Sequence, residues 1–160
     1  MRIGQGVDAH RLVTGRPLRL GGITVPYDRG LEGHSDGDAL LHAIASALLG
    51  ALGEGDLGRH FPSSDPALEG VESTRLLEQV MERARAAGFA LGNLDATVVA
   101  QAPRLAAHLP KMEAAIAAVL GVASERVNVK VTSTDGLGAL GREEGIAALA
   151  VVLLEKASGG

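Results

Sequence analysis

The chain has 160 residues, 46% of them hydrophobic but only 2% aromatic, and a net charge of −4. This length predicts one domain, residues 1–160, with a core of Ala, Val, Leu and Ile. The absence of cysteine excludes disulfide bonds and thiolate metal sites, and it favours a cytoplasmic protein. The negative charge argues against nucleic acid as a partner, and no apolar run is long enough to span a membrane.

Hydrophobic periodicity and turn residues predict the order of helices and strands. The first half of the chain is predicted to form a strand over 1–12, a hairpin over 17–26 around Gly21-Gly22 and a helix from about Asp38 to Leu52, followed by turn-rich loops over 53–58 and 62–66. The second half is predicted to form an amphipathic helix over 72–87, a strand over 94–101, a helix over 111–120 and strands over 127–132 and 146–154. Since an alternating segment directly follows Met1 and Arg2, no signal peptide is expected. Ser158-Gly159-Gly160 are expected to fray.

This order of elements predicts an α/β fold, an α+β sandwich of the ferredoxin-like type. A mixed four-stranded sheet would carry the helices on one face, and the hairpin would be a small addition. Because the final strand is apolar on both sides, the second face of the sheet must also be covered.

Two histidines and two carboxylates lie within residues 34–42, at the start of a predicted helix that would hold His42 rigidly in its first turns. Asp8 and His10 are two positions apart in the first strand, so their side chains share one face. Two imidazoles and one carboxylate with an open position suit a catalytic zinc site. From spacing alone, three ordinary polar residues near a surface are an equally good interpretation.

These motifs occur together with Asp56-Leu57-Gly58, Phe61-Pro62, Ala100-Gln101-Ala102-Pro103 and Gly141-Arg142-x-Glu144-Gly145-Ile146-Ala147. The combination resembles the 2-C-methyl-D-erythritol 2,4-cyclodiphosphate synthases over nearly the whole chain. The resemblance implies metal-dependent cyclisation of 4-diphosphocytidyl-2-C-methyl-D-erythritol 2-phosphate to 2-C-methyl-D-erythritol 2,4-cyclodiphosphate, with release of CMP. This reaction is a step of non-mevalonate isoprenoid precursor biosynthesis. The resemblance also implies a homotrimer whose sheets surround a threefold axis and whose active sites lie between subunits.

The same resemblance implies a role for each candidate residue. Zinc, or another divalent ion, would bind to Asp8, His10 and His42, and Mg²⁺ or Mn²⁺ would accompany the substrate diphosphate near Asp135. His34 and Ser133 are the expected catalytic residues. The expected substrate-binding residues are Asp8, His10, His34, Ser35, Asp56, Gly58, Phe61, Asp65, Ala100, Arg104, Leu105, Ala106, Thr132, Ser133, Thr134, Asp135 and Arg142.

Asp36 and Asp38 are interpreted as structural, one as a cap of the helix and one as a partner that orients an imidazole. Residues 136–141 match the dinucleotide motif G-x-G-x-x-G, but a strand-like segment follows them, so a dinucleotide fold is not expected. Arg142, next to this stretch, is interpreted either as structural or as facing an anion at an axial cavity. Some relatives bind isoprenoid diphosphates there.

Two other functions are compatible with the same residues. A zinc phosphohydrolase would use the same three ligands, but it would incorporate solvent oxygen and release an open product. A non-catalytic trimer would bind metal and an apolar ligand without turnover. The cyclisation itself needs no Ser/His/Asp triad, because the attacking phosphate is already an oxyanion.

Overall fold

Five strands form the larger sheet of the computed structural model, which describes residues 1–157. These strands are β1 (Arg2–Thr14), β4 (Arg29–Leu31), β5 (Phe89–Val99), β6 (Val127–Thr132) and β7 (Gly145–Lys156). Their order across the sheet is β4-β1-β7-β5-β6, and only the β5–β6 pair is parallel. The mixed sheet is therefore confirmed. The expected tail, Ser158-Gly159-Gly160, lies outside the described residues.

A separate hairpin joins β2 (Leu18–Leu20) and β3 (Ile23–Val25), as the Gly-Gly turn predicts. Both glycines of this turn have positive φ values, 64° at Gly21 and 77° at Gly22. A two-residue turn of this kind matches the twist of the strands that it joins.

The helices are α1 (Ala39–Leu52), α2 (Leu57–His60), α3 (Ser73–Ala86), α4 (Leu109–Leu120) and α5 (Gly138–Gly141). Short 3₁₀ turns lie at Pro66–Leu68, Ala106–His108 and Ser124–Arg126. The three long helices agree with the predicted ones to within two residues at each end. In the part of the chain that the structure describes, no helix combines the length and the hydrophobicity needed to cross a membrane.

Helix α1 packs directly on β1, because two glycines allow the strand and the helix to approach closely. A Cβ atom on Gly4 would lie 1.8 Å from the backbone oxygen of Ala47, and one on Gly6 would lie 1.9 Å from that of Ala43. Since these gaps are far below van der Waals contact, only glycine fits at both positions. This packing places His42, on α1, next to the end of β1.

The sheet differs from the expectation in two ways. It has a fifth strand, β4, whose three residues are too few to show an alternating pattern. The four long strands follow the order β-α-β-α-β-β, whereas a ferredoxin-like fold has the order β-α-β-β-α-β, so the ferredoxin-like assignment is wrong.

Strand β5 also begins five residues before the predicted start, at Phe89 instead of residue 94. Gly92 and Asn93 are typical of a turn, but here the strand continues through an irregularity between Leu91 and Asn93.

The face of the sheet opposite the helices is partly apolar. Ile3, Val7, Leu149 and Val151 on the adjacent strands β1 and β7 are exposed there. On β5 and β6 the same face is polar, because Asp95 contacts Lys130. The apolar second face is thus confirmed for β1 and β7 and is wrong for β5 and β6.

Candidate active site

The start of α1 is fixed by Asp38, whose carboxylate accepts a hydrogen bond from the backbone N–H of Leu41 at 3.1 Å. The same carboxylate accepts from Gly21 and Gly22 of the hairpin turn, at 2.9 and 2.8 Å. Complete burial raises the pKa of Asp38, and these three hydrogen bonds oppose the rise. Asp38 is therefore the helix cap, and it sets the position of His42 one turn later.

Asp8, His10 and His42 form a tight group that could hold a metal ion. Asp8 Oδ2 lies 2.7 Å from His10 Nε2 and 2.9 Å from His42 Nδ1, and the two ring nitrogens are 3.1 Å apart. The side chains are 28%, 17% and 11% exposed, so the group is partly shielded but open on one side. The expectation that these three side chains converge is confirmed.

The donor atoms of this group fit a divalent ion such as zinc. The Nδ1 of His10 contacts the backbone oxygen of Glu32, which can only accept, so Nδ1 carries a proton and Nε2 is the ring nitrogen left to bind an ion. The other ring nitrogen of His42, Nε2, faces the hydroxyl of Ser35 at 3.0 Å. Two imidazole nitrogens and one carboxylate oxygen thus point at one place, the ligand set of many catalytic zinc sites.

The charges of this group stabilise one another. Burial alone would raise the pKa of Asp8, but hydrogen bonds with His10 and His42 outweigh it and hold the pKa well below its usual range. Burial likewise opposes protonation of His10, and the hydrogen bond with Asp8 overcomes it, so the pKa of His10 is raised. The group therefore keeps an ionised carboxylate available as a ligand.

A cavity of about 390 Å³ opens beside this group. Its polar residues are Asp8, His10, His34, Ser35, His42, Ser46 and Ser63, and its apolar wall includes Leu57, Phe61, Leu68, Val71 and Leu76. Gly58 also lines it. A small molecule with a charged end and a carbon skeleton fits such a lining.

A second cavity, of about 240 Å³, lies at the ends of β5 and β6. Among the predicted residues it is lined by Ala100, Arg104, Leu105, Ala106, Thr132 and Ser133. Gln101 Oε1 accepts a hydrogen bond of 3.1 Å from the backbone N–H of Gly136, which connects this loop to the turn after β6. Among the described residues, this cavity and the first share no lining residue.

Arg142 lines a third cavity, of about 320 Å³, together with Arg11, Arg29, Glu143 and Glu144. The Nε of Arg142 donates to Glu144 Oε1 at 2.6 Å, and Arg29 donates to Glu143 Oε2 at 2.8 Å. Two of the three arginines there are thus paired with acidic residues.

Four predicted residues lie outside these linings. Asp56 accepts from the backbone N–H of Arg59 and caps α2, and Asp65 accepts from that of Ala67 and caps the next 3₁₀ turn. Thr134 Oγ1 donates to the backbone oxygen of Leu137, in the turn after β6. Asp135 follows with a positive φ of 51° and accepts from Ser133 Oγ at 3.1 Å.

Sequence reasoning missed two serines close to His42, of which only Ser46 lines the first cavity. Ser46 lies four residues after His42 on α1, so helical periodicity alone puts it on the same face. Ser73 contacts His42 across 31 residues of chain, at 2.9 Å between Ser73 Oγ and His42 Nε2. No local pattern indicates that contact.

Comparisons with known proteins identify relatives over nearly the whole chain. The family model described as the YgbB family matches residues 1–155. A curated relative from Geotalea daltonii, named 2-C-methyl-D-erythritol 2,4-cyclodiphosphate synthase, is 59% identical over 156 residues, which are 98% of this chain and 91% of the relative.

Solved structures of related proteins are similar to this chain over nearly its whole length. A 2C-methyl-D-erythritol-2,4-cyclodiphosphate synthase in its CDP-bound form is 36% identical, with a TM-score of 0.89 over 96% of this chain and 100% of that chain. The bifunctional IspDF from Campylobacter jejuni is 41% identical, with a TM-score of 0.93 over 97% of this chain, which spans only 42% of that longer protein. The family model matches nearly the whole chain, and the curated relative is 59% identical over almost the same length. The chain therefore belongs to the YgbB family.

Proposed function

We propose that this chain is a 2-C-methyl-D-erythritol 2,4-cyclodiphosphate synthase. It converts 4-diphosphocytidyl-2-C-methyl-D-erythritol 2-phosphate to the cyclic diphosphate and CMP, in non-mevalonate isoprenoid precursor biosynthesis. The single observation that carries the proposal is the convergence of Asp8, His10 and His42 beside His34 and Ser35 in one cavity, within a chain closely related to named synthases.

In this reaction the 2-phosphate attacks the β-phosphorus of the diphosphate. The bond from that phosphorus to the oxygen bridging the two phosphates breaks, and the electron pair leaves with CMP. Because the attacking oxygen is already charged, no general base is needed. The barrier comes from repulsion between anions and from closing the ring, so the enzyme must neutralise charge and hold the two ends together.

His34 and Ser35 are the proposed contacts of the phosphates. His34 Nε2 lies 3.0 Å from the backbone oxygen of Asp65, so that nitrogen donates and Nδ1 faces elsewhere. With Nε2 engaged by this oxygen, Nδ1 is the ring nitrogen of His34 left to contact a phosphate. Ser35 adds a hydroxyl on the same cavity wall.

The metals have separate proposed places. Zn²⁺ would be held by Asp8 Oδ2, His10 Nε2 and His42 Nδ1, where it supplies Lewis-acid charge neutralisation to a phosphate. Asp135, at the turn after β6, is the proposed carboxylate for Mg²⁺ or Mn²⁺ with the diphosphate. Few further protein ligands are needed there, since the phosphates themselves bind such ions.

The substrate would lie across both cavities. Gly58 and Phe61, which line the first cavity, and the neighbouring Asp56 and Asp65 outside its lining are proposed for the methylerythritol unit. In the second cavity the cytidine would contact Ala100, Arg104, Leu105 and Ala106, and the diphosphate would contact Thr132 and Ser133 there and Thr134 beside it. Ser133 is the proposed catalytic residue on that side, because it lines the second cavity.

The separation of the two cavities supports a homotrimer with active sites between subunits. A second argument is the exposed apolar patch on β1 and β7, which a neighbouring sheet around a threefold axis would cover. An isoprenoid diphosphate at Arg142 would have to displace its ion pair with Glu144. We further propose a single catalytic domain, residues 1–160, and a cytoplasmic location, which the cysteine-free composition favours.

Product analysis tests this function. The purified protein, supplied with Zn²⁺ and Mg²⁺, is incubated with the substrate in isotopically labelled water, and the products are identified by mass spectrometry. We expect CMP and a cyclic diphosphate without label. An open product that carries solvent oxygen would instead indicate a phosphohydrolase, and no turnover would indicate a binding protein.

A further inference from the structure

Two serine hydroxyls contact His42 on the side of its ring that faces away from Asp8. The Nε2 of His42 lies 2.9 Å from Ser73 Oγ and 3.0 Å from Ser35 Oγ. Ser73, the first residue of α3, is 1% exposed and does not line the first cavity. Ser35 does line it, so the two hydroxyls have different surroundings.

The direction of these hydrogen bonds follows from Asp36. Its Oδ1 contacts the hydroxyl of Ser73, and its Oδ2 accepts from the backbone N–H of Ser73 at 3.2 Å. A carboxylate has no proton to give, so the hydroxyl of Ser73 donates its hydrogen to Asp36. Ser73 Oγ then offers only lone pairs to His42, so the contact between them is a hydrogen bond only with Nε2 of His42 as the donor.

This chain of contacts determines which nitrogen of His42 can bind a metal. With a proton held on Nε2, Nδ1 is the ring nitrogen that faces Asp8 and the cavity, so it is the one that can give its lone pair to an ion. The opposite tautomer would set two lone pairs, those of Nε2 and of Ser73 Oγ, against each other in a buried place.

We propose that Ser73 and Asp36 are positioning residues that hold His42 as an Nδ1 ligand for the metal. They act through His42 and do not touch the substrate. This inference rests on the metal site of the proposed function, but it concerns binding of the ion and not the reaction.

The opposing explanation is that Ser73 only starts α3. The structure argues against it, because its hydroxyl contacts Asp36 and His42 and no backbone N–H of its own helix. Buried partners of a metal-binding histidine typically contribute a factor of 10 to 100 in metal affinity, which makes the two explanations distinguishable.

Zinc affinity provides the first test. The zinc dissociation constant is measured by competition with a chromophoric chelator for the unmodified protein, Ser73→Ala and the control Ser124→Ala. Ser124 is also the first residue of a helical turn, but it is exposed. We expect Ser73→Ala to weaken zinc binding about tenfold and Ser124→Ala to leave it unchanged. An unchanged constant in folded Ser73→Ala overturns the proposal.

Asp36→Asn provides a second variant if Ser73→Ala does not fold. It keeps the size of the side chain but removes the charge that accepts the proton of Ser73, so zinc binding should weaken in the same direction. Equal affinity in folded Asp36→Asn would remove Asp36 from the proposed pair.

A spectroscopic signature separates positioning from a general loss of structure. In zinc-loaded protein with nitrogen-labelled histidine, the Nε2 proton of His42 should give a protected imidazole N–H signal by NMR. That signal should be lost or exchange faster in Ser73→Ala, while the backbone amide spectrum stays otherwise the same. A protected, unshifted signal overturns the proposal. Neither readout uses turnover, so failure of the proposed synthase activity would leave this test intact.

Discussion

Each imidazole of the metal group is oriented by an acceptor on the far side of its ring. For His10 this acceptor is the backbone oxygen of Glu32, and for His42 it is a serine hydroxyl. The two rings therefore present different nitrogens, Nε2 and Nδ1, to the same carboxylate oxygen of Asp8. The identity of the ligand atoms is thus a property of these neighbours as much as of the ligands.

Removal of one imidazole should empty the site without unfolding the chain. We expect the purified protein to carry about one zinc per chain and His42→Ala to lose it while keeping its circular dichroism spectrum. Elemental analysis by mass spectrometry measures the zinc, and His108→Ala, a histidine outside the metal group, serves as the control. Full zinc retention by His42→Ala would falsify the ligand assignment.

Asp135→Asn should separate the two metals. We expect the variant to keep its zinc, because Asp8, His10 and His42 are unchanged. Its turnover should fall sharply and its half-maximal Mg²⁺ concentration should rise, because the charge developing on the CMP leaving group loses its counter-ion. Initial rates measured against Mg²⁺ concentration decide this. The same rate and Mg²⁺ dependence in both proteins would remove Asp135 from the mechanism.

Asp95 should make the stability of the folded chain depend on pH. Hydrogen bonds from Lys130 and then from Asn128 lower its pKa below the ordinary 3.8. A lowered folded-state pKa stabilises the fold above the ordinary value, and this contribution is lost as the pH falls through the lowered pKa. Because Asp95 and Lys130 are largely exposed, solvent screening limits the contribution of this pair to the unfolding free energy to less than about 1 kcal/mol.

The measurement is the difference in unfolding free energy between the unmodified protein and Asp95→Asn, determined by urea titration at neutral and acidic pH. We expect a small advantage of the unmodified protein near pH 7 that is lost as the pH falls through the lowered pKa of Asp95. Asp28→Asn is the control, since Asp28 is 82% exposed and lies 3.9 Å from Arg29. A constant difference across the range would contradict the assigned pKa shift.

Among the elements, α1 and β1 form the frame of the site. The strand carries Asp8 and His10, the helix carries His42, and the glycines of β1 bring the two into contact. The cap at Asp38 and this close packing together set the position of His42 relative to β1. The short helix α2 and the 3₁₀ turn after it form the more exposed wall of the first cavity.

Two glycine substitutions should therefore have opposite effects. In Gly6→Ala the new Cβ would lie 1.9 Å from the backbone oxygen of Ala43, which forces β1 and α1 apart. We expect a loss of at least about 2 kcal/mol in unfolding free energy. In Gly50→Ala the nearest atom is 3.6 Å away, and alanine favours helix, so stability should stay constant or rise by up to about 1 kcal/mol.

Urea titration at one protein concentration compares both variants with the unmodified chain. The Gly50→Ala variant is the matched control, because it adds the same methyl group at the same strand–helix contact. Similar stabilities for both variants would show that the close approach of β1 and α1 is not required.

At the scale of the whole molecule, the metal group and the loop over 100–106 border separate cavities. The molecule also presents apolar side chains on the open face of the sheet. Association of three copies would account for both features, since it covers the face and brings residues of neighbouring chains together.

Val151→Asp should break this association. Val151 is 47% exposed in a single chain, so aspartate is tolerated there, but the charge would be costly to bury between subunits. Light scattering should give the mass of a trimer for the unmodified protein and a smaller species for Val151→Asp. Ala118→Asp, on an exposed position of α4, should remain trimeric. A stable, active monomer of the unmodified protein would contradict the trimer.

Patterns among residues close together in the sequence determined several helices, strands and turns of this fold. Alternation and helical periodicity specify β1, α1 and α3, the paired glycines specify the hairpin turn, and Asp38 specifies the start of α1. The spacing of Asp8 and His10 is also local, because two positions along a strand always share a face. Each of these features depends on residues only a few positions apart, so the pattern is visible without the fold.

Only the tertiary structure decided the features that join distant segments. The three residues of β4 form a strand because β1 offers a free edge, and Ser73 contacts His42 because α3 packs beside α1. The order of strands across the sheet, in which β7 lies between β1 and β5, likewise depends on pairing between distant segments. A contact across 31 residues leaves no periodic signal in the chain, since only packing of the elements brings Ser73 and His42 together.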